Sequence, residues 1–155
     1  MAKSTQARKH TTGMAGEFLV AGELLRRGVM AAVTYGNAKK ADVIAFREGR
    51  SVSLEVKSTS ERKWVLGGTV PPDSDVLWVL VYLPPDSREA PSYFVLTSAE
   101  LRKALLPRHD SYLKRYAEKH GKAYAAAGVV SVLRHEVDDS HLGAWQKVSR
   151  ALGVG

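Results

Sequence analysis

The chain has no cysteine among its 155 residues. Disulfides and thiolate metal sites are therefore excluded, and any bound metal has to be held by oxygen or imidazole. A long apolar run is also missing. The longest, VLWVLVYL at 76–83, is far too short to span a bilayer and reads as a buried strand. The opening MAKSTQARKHTTGMAGEF has no apolar stretch of signal-peptide length, so a cytoplasmic protein is expected. No G-x-x-x-x-G-K-[ST] occurs, which excludes a P-loop NTPase, and the glycines of GMAGEFLVAG follow no strand, so they form no dinucleotide fingerprint. SYLK at 111–114 has the spacing of a serine acyl enzyme, but its companion motifs are missing. The five histidines are dispersed, and His135 and His141 have no zinc spacing.

Acidic residues are the scarcer charge, 16 against 23 Lys and Arg, giving a formal net charge of +7. Such a balance favours an anionic partner, nucleic acid first, with plain solubility as the competing reading. The hydrophobic fraction of 45% is enough for one ordinary core, so a single soluble domain is expected over 13–155. Residues 1–12 carry Lys3, Arg8, Lys9 and His10 without apolar partners and read as a flexible basic arm.

Along the chain, TTGMAGEFLVAGELLRRG predicts a helix capped by Thr11 or Thr12 and stopped by Gly28. Its apolar face is expected to be Met14, Phe18, Leu19, Ala21, Leu24 and Leu25. Strands follow at 29–35 and 41–47, and the latter forms a hairpin with 51–58 through the turn EGR. Residues 58–75 read as a loop. DVLWVLVYL, apolar on both faces, reads as a central strand, with SYFVLT as the next. SAELRKALL opens with a capping pattern and is expected to end at Pro107. HDSYLKRYAEKHGKAYAAA is mainly helical, VVSVLRHEV is strand or loop, and DDSHLGAWQKVSRAL is a last helix. The order is that of an α/β sheet with packed helices.

In SVSLEVKS the alternation puts Val52, Leu54 and Val56 on one face and Ser53, Glu55 and Lys57 on the other. With Asp42 on the preceding strand, the pattern is D-x12-E-x-K. Hard divalent cations take carboxylate oxygen, polarise phosphate and help make hydroxide from water. A nearby lysine can orient that water and stabilise developing charge. The bland reading of Glu55 and Lys57 is a solvated strand face. The first helix is expected to cover that same face, where unpaired charge would be costly and a metal would resolve the cost.

The segment AD…EVK resembles the PD-(D/E)xK nuclease superfamily, with Ala41 in place of the usual proline. The helix GEFLVAGELLRRG is similar to the first helix of archaeal Holliday-junction resolvases and related restriction-enzyme-like proteins. The resemblance covers roughly residues 13–60, about a third of the chain. It implies a restriction-endonuclease-like α-β-β-β-α-β core, with a central mixed sheet flanked by helices and extra C-terminal helices. It also implies a Mg²⁺- or Mn²⁺-dependent DNA endonuclease with metal ligands Asp42, Glu55 and Glu17, and Lys57 at the water. Small members often act as homodimers. Glu17 has a second reading as an exposed helix position. Glu23, about 120° away on the same helix, is expected at the surface or paired with a base.

Contacts to DNA phosphates are then expected from Gly36, Asn37, Lys39 and Lys40 before Asp42, and from Ser58, Thr59, Arg62 and Lys63 after Lys57. Solvated loop charge is the competing reading for each. Trp64 could stack on a base, but covering the core is the better expectation, and Trp145 is expected in the core. LKRYAEKHGK is basic and reads first as a solvated helix face. The alternative function is a non-catalytic nucleic-acid-binding or regulatory module on the same fold.

Overall fold

The computed structural model describes residues 2–36, 41–124 and 128–155. Helix α1 (Ala2–Arg26) leads into the meander β1 (Met30–Val33), β2 (Val43–Arg47) and β3 (Arg50–Thr59). Then come β4 (Lys63–Gly67), β5 (Leu77–Tyr82), β6 (Ser92–Thr97), α2 (Ser98–His120) and β7 (Val130–Leu133). Two 3₁₀ turns, Arg134–Glu136 and Asp139–His141, precede α3 (Gln146–Ala151). The main sheet is mixed, with order β1-β2-β3-β5-β6. Its pairs are antiparallel except β3 with β5. Strands β4 and β7 form a separate antiparallel ribbon.

Local chemistry sets the hairpin between β2 and β3. Glu48 (φ 47°) and Gly49 (φ 79°) are both left-handed, the requirement of the two-residue turn whose twist matches flanking strands. Its register pairs Val43 with Leu54 and Arg47 with Arg50. The far edge of the sheet is partly covered. Gly143 N–H donates to Tyr93 O at 2.8 Å, and Leu142 bridges Phe94.

Alternation in β3 and β5 divides the interior in two. Leu54, Val56, Val79 and Val81 pack with Val20, Ala21 and Leu24 of α1 and with Trp145 and Val148. Trp78 and Leu80 point the other way, to Trp64, Phe94, Leu101, Leu105 and Val132. Trp64 is 1% exposed and its Nε1–H donates to Val81 O at 2.9 Å, so it is a core residue, as is Trp145.

Several expectations are corrected. The segment expected as a flexible arm is the start of α1. Residues 5–11 are exposed, yet no proline interrupts 2–26 and Thr11 and Thr12 bond back to Ala7 O and Arg8 O instead of capping. Met14, Phe18, Leu19 and Leu25 are 37–49% exposed. Ala21 and Leu24 are buried as expected, and the helix seats through them with Val20 and Gly16, because a glycine lets it approach β3 closely. No helix lies between β3 and β5; residues 63–67 form β4, whose alternating Trp64 and Leu66 enter the second core. Pro107 does not end a helix but sits inside α2. Its neighbours hold α2 continuous: Leu101 and Leu105 are fully buried, and Arg108 forks onto Glu136 and Ser131 O. The acidic pair 138–139 starts a 3₁₀ turn rather than the last helix, Asp138 accepting from Ser140 N–H.

Helix α2 opens with a capping box, as the sequence suggested, built by Thr97 at the end of β6 and Glu100. Glu100 Oε2 also accepts from Lys147 Nζ at 2.7 Å, and that ammonium reaches Val95 O and His141 Nδ1, both at 2.9 Å. Burial raises the Glu100 carboxyl, but the bonds from Lys147 and Thr97 outweigh it and leave it below its usual value. Burial and the Lys147 ammonium hold His141 below its usual value against the opposing pull of Glu100 and Asp138.

Two outcomes follow. A Cβ on Gly16 would lie 1.7 Å from Ser58 Oγ and 2.9 Å from Ser58 Cβ. Gly16→Ala should therefore destabilise by about 1–3 kcal/mol in urea titration, and Ser58→Gly should recover part of it. If Gly16→Ala unfolds at the wild-type midpoint, the close seating is wrong. Separately, the unfolded chain protonates His141 more readily than the folded chain, so stability should fall as pH drops below about 6.5. Glu100 adds to the loss at lower pH. His141→Gln should flatten the first part of that decline; an unchanged profile would rule the residue out as its source.

Candidate active site

The site grows from the place where β2 begins. Thr34 after β1 holds this point: its N–H donates to Asp42 O at 3.0 Å and its hydroxyl to Ala41 O. Asp42 is 7% exposed. Its N–H donates to Leu54 O at 3.0 Å, and its Oδ2 accepts from Val56 N–H at 2.9 Å. The two bonds bracket Glu55. The aspartate thus stands in for a backbone carbonyl at the end of the ladder and is held beside Glu55.

Glu55 and Lys57 are half-buried and share one cleft of about 320 Å³. Leu66 of β4, Trp78 of β5, and Thr69, Pro71, Pro72 and Ser74 of the connecting segment complete it. Arg102 of α2 donates to Pro71 O at 2.7 Å and fixes that wall. The walls were not legible in the sequence. Trp78 comes beside Glu55 only through the parallel pairing of β3 with β5, which no local pattern encodes.

One expectation about this face is overturned. Helix α1 packs on Leu54 and Val56, so it covers the opposite face of β3 from Glu55 and Lys57. The first helix therefore does not bury the charged pair; the β4 side walls it. Glu17, on α1, lines a different pocket with Lys9, His10, Met14, Phe18, Thr34, Tyr35 and Gly36. Thr34 is the link between that pocket and Asp42. Glu23 pairs with Arg26 and Arg27 at 3.5 and 3.4 Å, as expected.

The expected phosphate contacts are placed unevenly. Asn37, Lys39 and Lys40 lie outside the described residues. Gly36 is exposed with φ 106° beside Glu17. Ser58 Oγ is buried beneath α1 at Gly16, with no hydrogen-bond partner among the described residues, so it does not face solvent as a phosphate contact would require. Thr59 Oγ1 accepts from Glu61 N–H at 3.1 Å and shapes the turn. Arg62 and Lys63 are exposed on the approach to β4.

Among the described residues, no group of three or more His, Asp or Glu side chains converges as a metal cage. Mg²⁺ does not need one: it keeps several waters and is commonly bound by one or two carboxylates plus substrate phosphate. The donor set Asp42 and Glu55 fits that chemistry. No helix among the described residues is long and apolar enough to cross a membrane.

Asp42 has a structural duty that can be separated from any chemical one. Asp42→Ala should orphan the Val56 N–H and lose about 1–3 kcal/mol of stability by urea titration. Asp42→Asn keeps an acceptor and should lose much less. Equal losses would mean that the bond to Val56 contributes little.

No protein-family model matches the chain and no curated protein matches it, so the arrangement around Asp42, Glu55 and Lys57 is what bears on function.

Proposed function

We propose that the protein is a Mg²⁺- or Mn²⁺-dependent endodeoxyribonuclease with a restriction-endonuclease-like core. The observation that carries this reading is the pair of Asp42 hydrogen bonds bracketing Glu55, with Lys57 in the Glu55 cleft. The chain order supports it. Helix α1, the meander β1–β3 and β5 parallel to β3 follow the α-β-β-β…β part of the core, with β4 standing where its second helix is expected.

Asp42 and Glu55 would hold the ion. Once bound, a divalent cation would polarise the scissile phosphate and acidify a water molecule. Lys57 supplies a point charge beside Glu55, suited to a non-bridging phosphate oxygen or to orienting the attacking water. One oxygen of the Asp42 carboxylate is already fixed by the Val56 N–H, which favours a preorganised ligand. Leu66, Pro71, Pro72 and Trp78 keep part of the cleft apolar, which strengthens the electrostatics inside it. Glu17 enters as a more distant acid beyond Thr34. The basic excess, with Arg62 and Lys63 exposed where the chain passes from β3 into β4, suits a polyanionic substrate. A homodimer, one site for each strand, belongs to the same proposal.

The rival reading is a nucleic-acid-binding module without cleavage. What favours it is the lack of a three-acid cluster among the described residues.

Labelled linear, nicked, flapped and four-way-junction DNA, incubated with Mg²⁺ or Mn²⁺, separates the two. Cleavage should need metal and should fall about 100-fold or more in Glu55→Ala and Lys57→Ala, with a smaller fall in Glu17→Ala. Metal-dependent cutting that survives Glu55→Ala and Lys57→Ala would sink the assignment. Binding without cutting of any substrate would favour the module.

A further inference from the structure

The C-terminal half of α2 carries a feature that the nuclease reading does not use. Tyr112, Tyr116 and His120 follow at four-residue steps, so each is about 40° further round the helix than the last. Their rings form a row: Tyr112 to Tyr116 is 6.5 Å between centroids and Tyr116 to His120 is 4.3 Å. Tyr124, beyond the left-handed Gly121, folds back edge-on against Tyr116 at 4.6 Å and Tyr112 at 5.9 Å. The chain therefore reverses at Gly121 to add a fourth ring to a helix face.

This row is not sealed in a core. Tyr112 is 46% exposed and His120 is exposed. None of the four rings belongs to either buried cluster. Cations flank it, while Lys114 lies on the far side of the helix with Asp110. Arg115 and Lys119, both exposed, lie within about 60° of Tyr112, whereas Asp110 and Glu118 lie about 160° and 120° away. Lys122 adds a cation just past the helix end. Arg108 differs, being engaged with Glu136.

We propose that the Tyr112–Tyr116–His120–Tyr124 row, flanked by Arg115 and Lys119, is a docking surface for single-stranded DNA. Rings accept bases of any identity because every base has a π face, and flanking cations follow the phosphates. A duplex keeps its bases stacked inside and offers the rings nothing to stack on. Charge complementarity selects the occupant: an apolar partner would leave Arg115 and Lys119 against apolar surface, at a desolvation cost. The position also suits a strand that continues past the Glu55 cleft. Arg102 fixes the cleft wall at Pro71, and Tyr116 is about 21 Å further along the α2 axis.

The surface is testable without catalysis. Full-length Glu55→Ala protein, in chelator, is titrated into a fluorescent oligothymidylate and, separately, a duplex of matching length. Single-strand affinity should exceed duplex affinity. Tyr112→Ala should weaken single-strand binding about ten-fold while leaving the duplex nearly unchanged. Tyr112→Trp should retain binding, which separates lost stacking from lost folding. Arg115→Gln with Lys119→Gln should reduce the dependence of affinity on salt. Equal binding of both DNAs, or single-strand affinity indifferent to Tyr112→Ala, would overturn the proposal. Because metal and cleavage play no part, that failure would leave the nuclease reading standing, and a failed cleavage assay would leave this surface standing.

Discussion

Much of the structure depends on β3 serving two interiors at once. A strand presents alternate side chains to opposite faces, and β3 is central enough for both faces to matter. Leu54 and Val56 complete the core beneath α1. Glu55 and Lys57, from the same stretch, open into the cleft on the other side. A one-residue slip against β2 would exchange the two sets, putting charge under the helix and leucine in the cleft. The two-residue turn at Glu48–Gly49 and the Asp42 bonds on either side of Glu55 pin the register at both ends of the hairpin. The same contacts that stabilise the fold thereby fix the spacing of the polar groups.

The division of faces also explains how charge is accommodated. The sheet face under α1 is filled by aliphatic side chains and the aromatic Trp145. The opposite face is covered in part by the β4–β7 ribbon and α2, which leaves a gap where Glu55 and Lys57 stay half-buried. A close helix there would have required neutralised groups. A ribbon and a proline-bearing segment leave a cleft of about 320 Å³ there instead.

How much of this was legible in the sequence depended on whether the information was local. Alternation in 51–58, the EGR turn and the capping box at Thr97 are encoded within a few residues, and the strands and helix they predict are present. The unbroken apolar run at 77–81 announced a strand covered on both sides. Misread parts needed distant partners. Lys63–Gly67 becomes a strand because β7, far along the chain, pairs with it. Pro107 stays helical because residues on either side are anchored to other elements. The seating face of α1 keeps the expected Ala21 and Leu24 but is turned by the approach of Gly16 to Ser58, which leaves Met14, Phe18, Leu19 and Leu25 exposed. For the site, the D-x12-E-x-K spacing located Asp42 beside β3 and Glu55 with Lys57. It could not say which layer would lie over them.

The coverage of Tyr93 and Phe94 by the 142–143 segment makes the sheet asymmetric at its two ends. At the other end, β1 is four residues long and pairs on one side only, with β2, among the described residues. Among the described residues, β1 is the less covered edge, and a strand added there would find backbone hydrogen-bonding groups. Two copies joining antiparallel through that border would be related by a twofold axis, and their sheets would run as one continuous surface. The brevity of β1 limits such a seam to a few backbone bonds, so the end of the sheet that is open is also the end least able to propagate.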